Sequence, residues 1–438
     1  MKILTVDFGS TFTKVTAINE GIIGTAKAFT TIETDVRDGL ESALTELKKQ
    51  TGSIEFDKKL AASSAAGGLK MVAVGLVPNL TAKAALMAAQ NAGAKVVKTY
   101  AYELTSTEQQ EIAGIDPDLV LLSGGTDGGN KDVILHNAKK LSEIEGIFSV
   151  IAAGNKTAQD EVKKALEKSG KHVVVVKNVM PALDVLDIQP AKEAIRNLFM
   201  EKIVWAKGLG AAAEMMDLPI IPTPLAVLYA AELLAAEIGS LAAVDVGGAT
   251  TDVYSVCDGF PTKRGVIQKG LPEPYAKRSV EGDLGMRYSL SSLIEAEPKS
   301  EGYGDFLAKC ASDFSYVPDG DESEADAALC TKAIRIAIKR HSGYLEKAYT
   351  PMGETYFQFG KDLTDVKHLI GIGGALIYAK SPTEILRNAL YTDEISMQLI
   401  PKKPSFLFDK KYIFAAMGLL SQINKNLAFK ILHREVLP

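Results

Sequence analysis

Two short segments of the chain carry residue types and spacing that could handle a polyphosphate. Near the start stands Val6-Asp7-Phe8-Gly9-Ser10-Thr11-Phe12-Thr13-Lys14, and in the second half Val244-Asp245-Val246-Gly247-Gly248-Ala249-Thr250-Thr251-Asp252. Each is an apolar strand ending in Asp-x-Gly, followed by small or hydroxyl residues and then by a β-branched strand. Such a stretch predicts a hairpin whose tight turn offers backbone N–H groups and hydroxyls to an anion, with glycine where a side chain would block close approach. An aspartate at the strand end suits a hydrated divalent cation that neutralises phosphate charge. Alone, either segment also reads as a plain β-hairpin with glycine at its corner; facing each other, two such turns would clamp a polyphosphate. A third segment, Leu369-Ile370-Gly371-Ile372-Gly373-Gly374-Ala375-Leu376, is a strand entering a glycine-rich turn, against which a flat base or ribose can lie.

In this order and spread over the whole chain, the three segments resemble the nucleotide-binding motifs of the actin, sugar-kinase and heat-shock-chaperone ATPase superfamily. The narrower resemblance is to the glutamate (methylaspartate) mutase accessory protein family, of the MutL or GlmL type. It rests on the first motif, on Leu122-Ser123-Gly124-Gly125-Thr126-Asp127-Gly128-Gly129, on Lys339-Arg340-His341-Ser342-Gly343, and on Phe359-Gly360-Lys361-Asp362-Leu363-Thr364-Asp365-Val366 leading into Ile370. Two positions depart from the pattern: Ile372 stands where threonine is expected and Lys361 where arginine is expected.

The resemblance implies an α/β, two-lobed actin-like (ribonuclease H-like) fold with ATP or ADP and Mg²⁺ between the lobes. It also implies an accessory factor that reactivates an adenosylcobalamin-dependent mutase. Gly9, Ser10, Thr11, Thr13 and Lys14 would then meet the phosphates from one side, and Gly247, Gly248, Ala249, Thr250 and Thr251 from the other. Asp7 and Asp245 would hold the metal and orient the attacking water, with Glu281 as a further candidate acid. Gly371, Gly373 and Gly374 would back the adenosine, and Lys339 would line its pocket. A small-molecule kinase of the same fold and a non-catalytic actin-like assembly protein are the competing readings.

Other segments favour structural use. Residues 123–129 read as a strand-to-helix turn that could hold a second anion or a partner, and the small residues of 62–68 suit close backbone packing. Lys332, Arg335, Lys339 and Arg340 share one face of a helix expected over 325–348. His341 reads as a capping or packing residue. The acidic stretch 318–326 lacks the alternating ligand spacing of a calcium loop.

The elements that must position these motifs alternate strand and helix throughout, as in α/β layering. Strands are expected at 71–76, 95–99, 119–122, 148–152 and 172–176, forming an α/β block within 70–180, and a last helix at 410–429. The expected division is 1–235 as lobe I, 236–408 as lobe II, and 409–438 as a helix returning to lobe I. Of 438 residues, 47% are hydrophobic and 24% charged, and 49 Lys and Arg against 54 Asp and Glu leave a net charge of −5. That balance, without a basic block, argues against nucleic acid or an anionic membrane as the main partner. The apolar stretch 224–246 is broken by Glu232, Glu237 and Asp245 and does not read as a membrane span. Met1 to Asp7 reaches an acid too early for a signal peptide. Three cysteines with no CxxC pair fit free thiols in a cytoplasmic protein.

Overall fold

In a computed structural model the chain is described over residues 1–31, 34–64, 70–92, 95–203, 209–296, 304–313, 316–319, 322–351, 353–388, 390 and 397–437. Part of the small-residue run 62–68 and part of the acidic stretch 318–326 lie outside the described residues. Strand β1 (Ile3–Phe8) is buried along its whole length, as its Ile-Leu-Thr-Val run demands. It pairs antiparallel with β2 (Phe12–Ile18), which pairs antiparallel with β3 (Ile22–Phe29). With β4 (Lys58–Ser63), these strands lie in the order β4-β1-β2-β3.

The next stretch is a different structure. Strands β5 (Lys70–Gly75), β6 (Lys95–Ala101), β7 (Leu119–Leu122), β8 (Ser149–Ala152) and β9 (His172–Val175) form an all-parallel sheet in the order β6-β5-β7-β8-β9. The five expected strands are thus present, each within two residues of its predicted limits. Helices including Lys83–Asn91, Asp132–Ser142 and Gln159–Glu167 connect them. Val72, Val74, Val120, Leu122, Ile134, Leu141, Val162 and Leu166 share one buried core. A two-residue strand, β10 (Ile221–Pro222), precedes the helix Thr223–Ile238.

The second half repeats the first. Strands β11 (Leu241–Val246) and β12 (Thr251–Val256) form an antiparallel hairpin. After β13 (Val266–Lys269) comes β14 (Ala276–Glu281), which pairs antiparallel with β12. Strands β15 (Tyr344–Thr350) and β16 (Gly353–Phe359) join β13 in a small three-stranded sheet. β17 (His368–Ile372) and β18 (Ser405–Phe408) extend the main sheet in parallel, giving β14-β12-β11-β17-β18. Numbered in chain order within each sheet, four adjacent strands run 3-2-1-4 in both. The fold is therefore α/β, with the duplicated sheet of the actin-like ATPases, and each Asp-x-Gly segment is the turn between the first two strands of its half.

The helix Glu322–His341 lays Leu329, Cys330, Ala333, Ile334, Ala337 and Ile338 into the core under this sheet. It stops seven residues short of the expected 348, where the chain enters β15; the two elements meet at Gly343, where a Cβ would lie 2.4 Å from the Phe359 carbonyl oxygen. The terminal helix expected at 410–429 is two helices, Phe414–Ser421 and Lys425–Val436. Asn424 divides them by capping the second, its side chain accepting from the Leu427 N–H at 3.0 Å. The first packs against β1 and crosses the helix Thr223–Ile238 so closely that a Cβ on Gly418 would meet the Ala226 carbonyl oxygen at 1.8 Å.

The chain gathers into two compact units, one of residues 1–30, 39–62 and 226–438, the other of 31–38 and 63–225. This differs from the expected boundary near 235: both duplicated sheets fall in the first unit, and the parallel block is the core of the second. Long-range strand pairing, which periodicity does not reveal, makes the difference.

Candidate functional site

The two Asp-x-Gly turns are built alike. The Gly9 N–H donates to the Phe12 carbonyl at 3.1 Å, and the Gly247 N–H to the Thr250 carbonyl at 2.9 Å. A side chain on Gly9 would sit 2.6 Å from the Phe12 oxygen, and one on Gly247 3.0 Å from the Thr250 oxygen, so glycine is needed at both corners. The turns also face each other: a Cβ on Gly248 would be 3.7 Å from Thr11 Oγ1. Ser10, Thr11, Gly248, Ala249 and Thr250 all keep part of their surface open.

Thr13 and Thr251 occupy equivalent positions in the two hairpins and are fully buried. Side chains alternate along a strand, so each points away from Lys14 or Asp252, its neighbour in sequence. Thr13 Oγ1 lies 3.0 Å from Thr30 Oγ1, and Thr251 Oγ1 donates to the Leu284 carbonyl at 2.7 Å. Both hydroxyls brace their turns from behind.

Charge distribution separates the two hairpins. In the first, Asp7 stands across the strands from Lys14, whose Nζ is 3.7 Å from Asp7 Oδ2 and 4.7 Å from the centre of the Tyr412 ring. In the second, Asp245 stands across from Asp252, acid against acid. Asp252 is held by Arg278, Nη2 to Oδ1 at 3.0 Å, and accepts from Thr250 Oγ1 at 3.3 Å. Burial first, then Asp252, pushes the Asp245 carboxyl up to about 7; Lys14 pulls it down, while Asp409 and Asp7 push it further up. Asp409 follows β18, and both its oxygens cap the next helix, accepting from the Ile413 and Phe414 N–H groups at 2.9 Å each. Burial pushes its carboxyl up as well.

Four acids, Asp7, Asp245, Asp252 and Asp409, thus act on one region, where Lys14 and Arg278 stand as counter-charges. This excess of negative charge suits a hydrated dication. Among the described residues no three His, Cys, Asp or Glu side chains converge as a ready-made metal cage. One or two carboxylates completed by water and phosphate is the arrangement Mg²⁺ usually takes.

The segment 281–289 backs the second turn. The Met286 N–H donates to the Gly247 carbonyl at 3.0 Å, the Arg287 N–H to Gly248 at 2.8 Å, and Ser289 Oγ to Ala249 at 2.9 Å. A Cβ on Gly285 would be 2.4 Å from the Ala249 carbonyl. Arg287 is fixed in turn by Asp326, at 2.9 Å. Glu281 lies opposite Thr251 at the end of β14, and its carboxylate accepts from Arg340 Nη1 at 2.7 Å, which also holds Asp283 at 2.8 Å. Burial pushes the Glu281 carboxyl up and Arg340 opposes that. Lys339 is exposed on the same helix, one residue from the arginine that makes these contacts.

The glycine-rich turn closes on β11. Gly373 has φ +100°, and a Cβ there would lie 2.2 Å from the Val246 carbonyl oxygen. At Gly374 a Cβ would lie 2.6 Å from the Tyr412 hydroxyl, and at Gly371 2.6 Å from Leu376. Asp7, Asp245 and the glycines 9, 247, 248, 373 and 374 therefore belong to one neighbourhood with Asp252, the last residue of the second segment, and with Tyr412, Asp409, Arg278 and residues 286–289, which reading the sequence did not pick out. Strand alternation alone would have turned Thr13 and Thr251 away from Lys14 and Asp252; nothing local would have found Asp409 or Tyr412.

Other sequence candidates have structural partners. His341 is fully buried, with Nδ1 2.7 Å from Ser279 Oγ and Nε2 2.8 Å from Ser255 Oγ, and burial pushes its pKa well down. The turn 123–129 is held by Asn155, whose Oδ1 accepts from the Gly128 N–H at 3.1 Å and whose Nδ2 donates to Gly129 at 3.0 Å. Asn178 Nδ2 completes it by donating to the Gly125 carbonyl at 2.9 Å. All three cysteines are buried free thiols. No helix among the described residues is long and apolar enough to cross a membrane.

Comparison with known proteins agrees with these motifs. The MutL protein family profile matches residues 3–436. The protein MutL of Clostridium tetanomorphum is 47% identical over 453 aligned positions, which cover 98% of each chain. Among solved structures, nucleotide-free acetone carboxylase is similar at 12% identity over 96% of this chain and 70% of its own, with a TM-score of 0.39. Xylulose kinase from Bifidobacterium adolescentis is similar at 13% identity over 99% of this chain and 93% of its own, with a TM-score of 0.30.

Proposed function

The chain belongs to the MutL protein family, and from that premise we propose that it is an ATP-dependent accessory factor that reactivates an adenosylcobalamin-dependent mutase. The observation that carries the ATP part is the pair of matched turns, with Gly248 set against Thr11. Backbone N–H groups on both sides of one gap, with the Ser10 and Thr11 hydroxyls on the first, are the donors a polyphosphate needs. In this reading Ser10, Thr11 and Lys14 meet the terminal phosphates from one sheet, and Gly248, Ala249 and Thr250 from the other. Gly373 and Gly374 bare the backbone for the nucleoside. Asp7 and Asp245 would hold Mg²⁺, which neutralises charge on the phosphates.

Hydrolysis then depends on positioning and charge stabilisation more than on a covalent step. Asp7 and Asp245 orient water at the terminal phosphate. Glu281, tied to Arg340, steadies the second turn through its strand. Because the two turns hang from different sheets, losing the terminal phosphate removes what bridges them, and this couples the nucleotide state to the gap between the sheets. That shape change is the output delivered to the mutase, a protein partner met in the cytoplasm.

The test is phosphate release from Mg-ATP by the purified protein in three settings: alone, with small-molecule acceptors, and with an inactivated cobalamin mutase from the same genome. ATP hydrolysis with recovered mutase activity, both lost in Asp7→Ala, supports the reading. Stoichiometric transfer to an acceptor makes the protein a kinase and overturns it.

A further inference from the structure

We propose that Lys27 is a second cationic contact for the nucleotide, made to its sugar-proximal phosphate; this inference rests on the nucleotide reading above. In the β2/β3 pair, Lys27 stands directly across from Lys14. Like charges in directly opposed positions destabilise a sheet. Lys14 has Asp7 as its counterion. Lys27 makes no ion pair to a carboxylate among the described residues; its Nζ lies instead 5.1 Å from the centre of the Phe12 ring and 6.0 Å from that of Tyr378. The Phe12 ring under the ammonium is itself packed against Phe29, ring centres 4.6 Å apart, and forms its shelf.

The position of that shelf identifies the ligand. Phe12 ends the first phosphate turn, which opens with Gly9. Tyr378 ends the short helix that leaves the Gly373-Gly374 turn, and its ring centre lies 6.3 Å from that of Tyr412, on which Lys14 rests. Two ammonium groups one strand apart therefore lie along a path from the phosphate turn to the nucleoside turn. With Lys14 beside Asp7 at the terminal-phosphate end, Lys27 falls at the phosphate nearest the sugar. Aromatic faces attract the lysine yet leave its three N–H donors free for an anion. An anion between the two lysines also removes the repulsion that the bare sheet carries.

The experiment measures equilibrium binding of ATP, ADP, AMP and adenosine to the full chain and to Lys27→Gln and Lys27→Arg. A charge-assisted contact to the shared phosphate predicts that Lys27→Gln weakens ATP, ADP and AMP by a similar factor, about tenfold or more, with adenosine unchanged. Lys27→Arg should recover most of the loss. Because Lys27 is exposed and faces a like charge, thermal unfolding of Lys27→Gln without ligand should fall at or slightly above the parent and certify its fold. Unaltered phosphate binding in Lys27→Gln, or an equal loss for adenosine, overturns the inference alone. Failure of the parent chain to bind any of the four overturns the nucleotide reading and this inference with it.

Discussion

Lys361 is fully buried, and its Nζ donates to three backbone carbonyls, those of Ser255 at 3.2 Å, Pro274 at 2.8 Å and Tyr275 at 2.7 Å. Burial pulls its pKa down from 10.5 to about 8, with Cys257, Lys277, Glu273 and Asp258 as the neighbouring charges. In the unfolded chain the amine keeps the ordinary value, so between the two values the unfolded state binds more protons and stability must rise with pH. Below pH 8 the buried charge costs its full amount, and the cost is relieved as pH climbs towards 10.5. At 1.36 kcal/mol per pH unit, a fall from 10.5 to about 8 corresponds to about 3 kcal/mol. The comparison is the parent against Lys361→Met, because groups that titrate elsewhere cancel in the difference. Urea unfolding followed by far-ultraviolet circular dichroism is the suitable probe, since it reports on the backbone structure of the strands around Lys361. The parent should gain on the variant by about 2–3 kcal/mol between pH 7.5 and 10. A difference independent of pH would show that the amine is charged in the fold throughout and would refute the argument from burial.

Three further outcomes follow from the site. Asp245→Asn should abolish Mg-ATP binding yet stabilise the ligand-free protein at pH 8 by about 1–2 kcal/mol after allowing for solvent access, because the ionised form is held among Asp252, Asp409 and Asp7. Its folded pKa is raised, so the gain should shrink as pH falls below 7, and melting temperatures at pH 5.5 and 8 check it. Gly285→Ala places a methyl group 2.4 Å from the Ala249 carbonyl and should weaken nucleotide binding about tenfold with the fold retained, read by calorimetry beside circular dichroism. Arg278→Met strands Asp252 and should cost about 3–5 kcal/mol in urea unfolding; adding Asp252→Asn should restore most of it, and no recovery would mean that the pair is not coupled.

Much of this protein was legible along the chain, because some chemistry is local. A turn that must bind an anion needs glycine, hydroxyl and acid within a few consecutive residues, so both Asp-x-Gly turns and the Gly373-Gly374 turn could be read directly. The five strands of the parallel block were equally visible as short apolar runs between helices. Lys361 stood out only as a departure from a family pattern; that its ammonium would be enclosed by three carbonyls depended on β12 and the loop after Gly270, about ninety to a hundred residues away. The division into units followed from strand pairing across the whole sequence, and no window of residues contains it.

The sequence by itself determined the pieces of the candidate site: two matched turns, their aspartates, and the glycines at positions where a side chain would clash. Tertiary structure decided their balance. It brought Asp409 and Tyr412 from the end of the chain to Lys14 and Asp245, gave Asp252 its arginine, turned Thr13 and Thr251 to the rear, and set Lys27 across from Lys14 with no acid of its own among the described residues. The physical reason is range. Backbone conformation is dictated by neighbours in sequence, whereas burial and charge compensation are summed over everything the fold brings within a few ångströms.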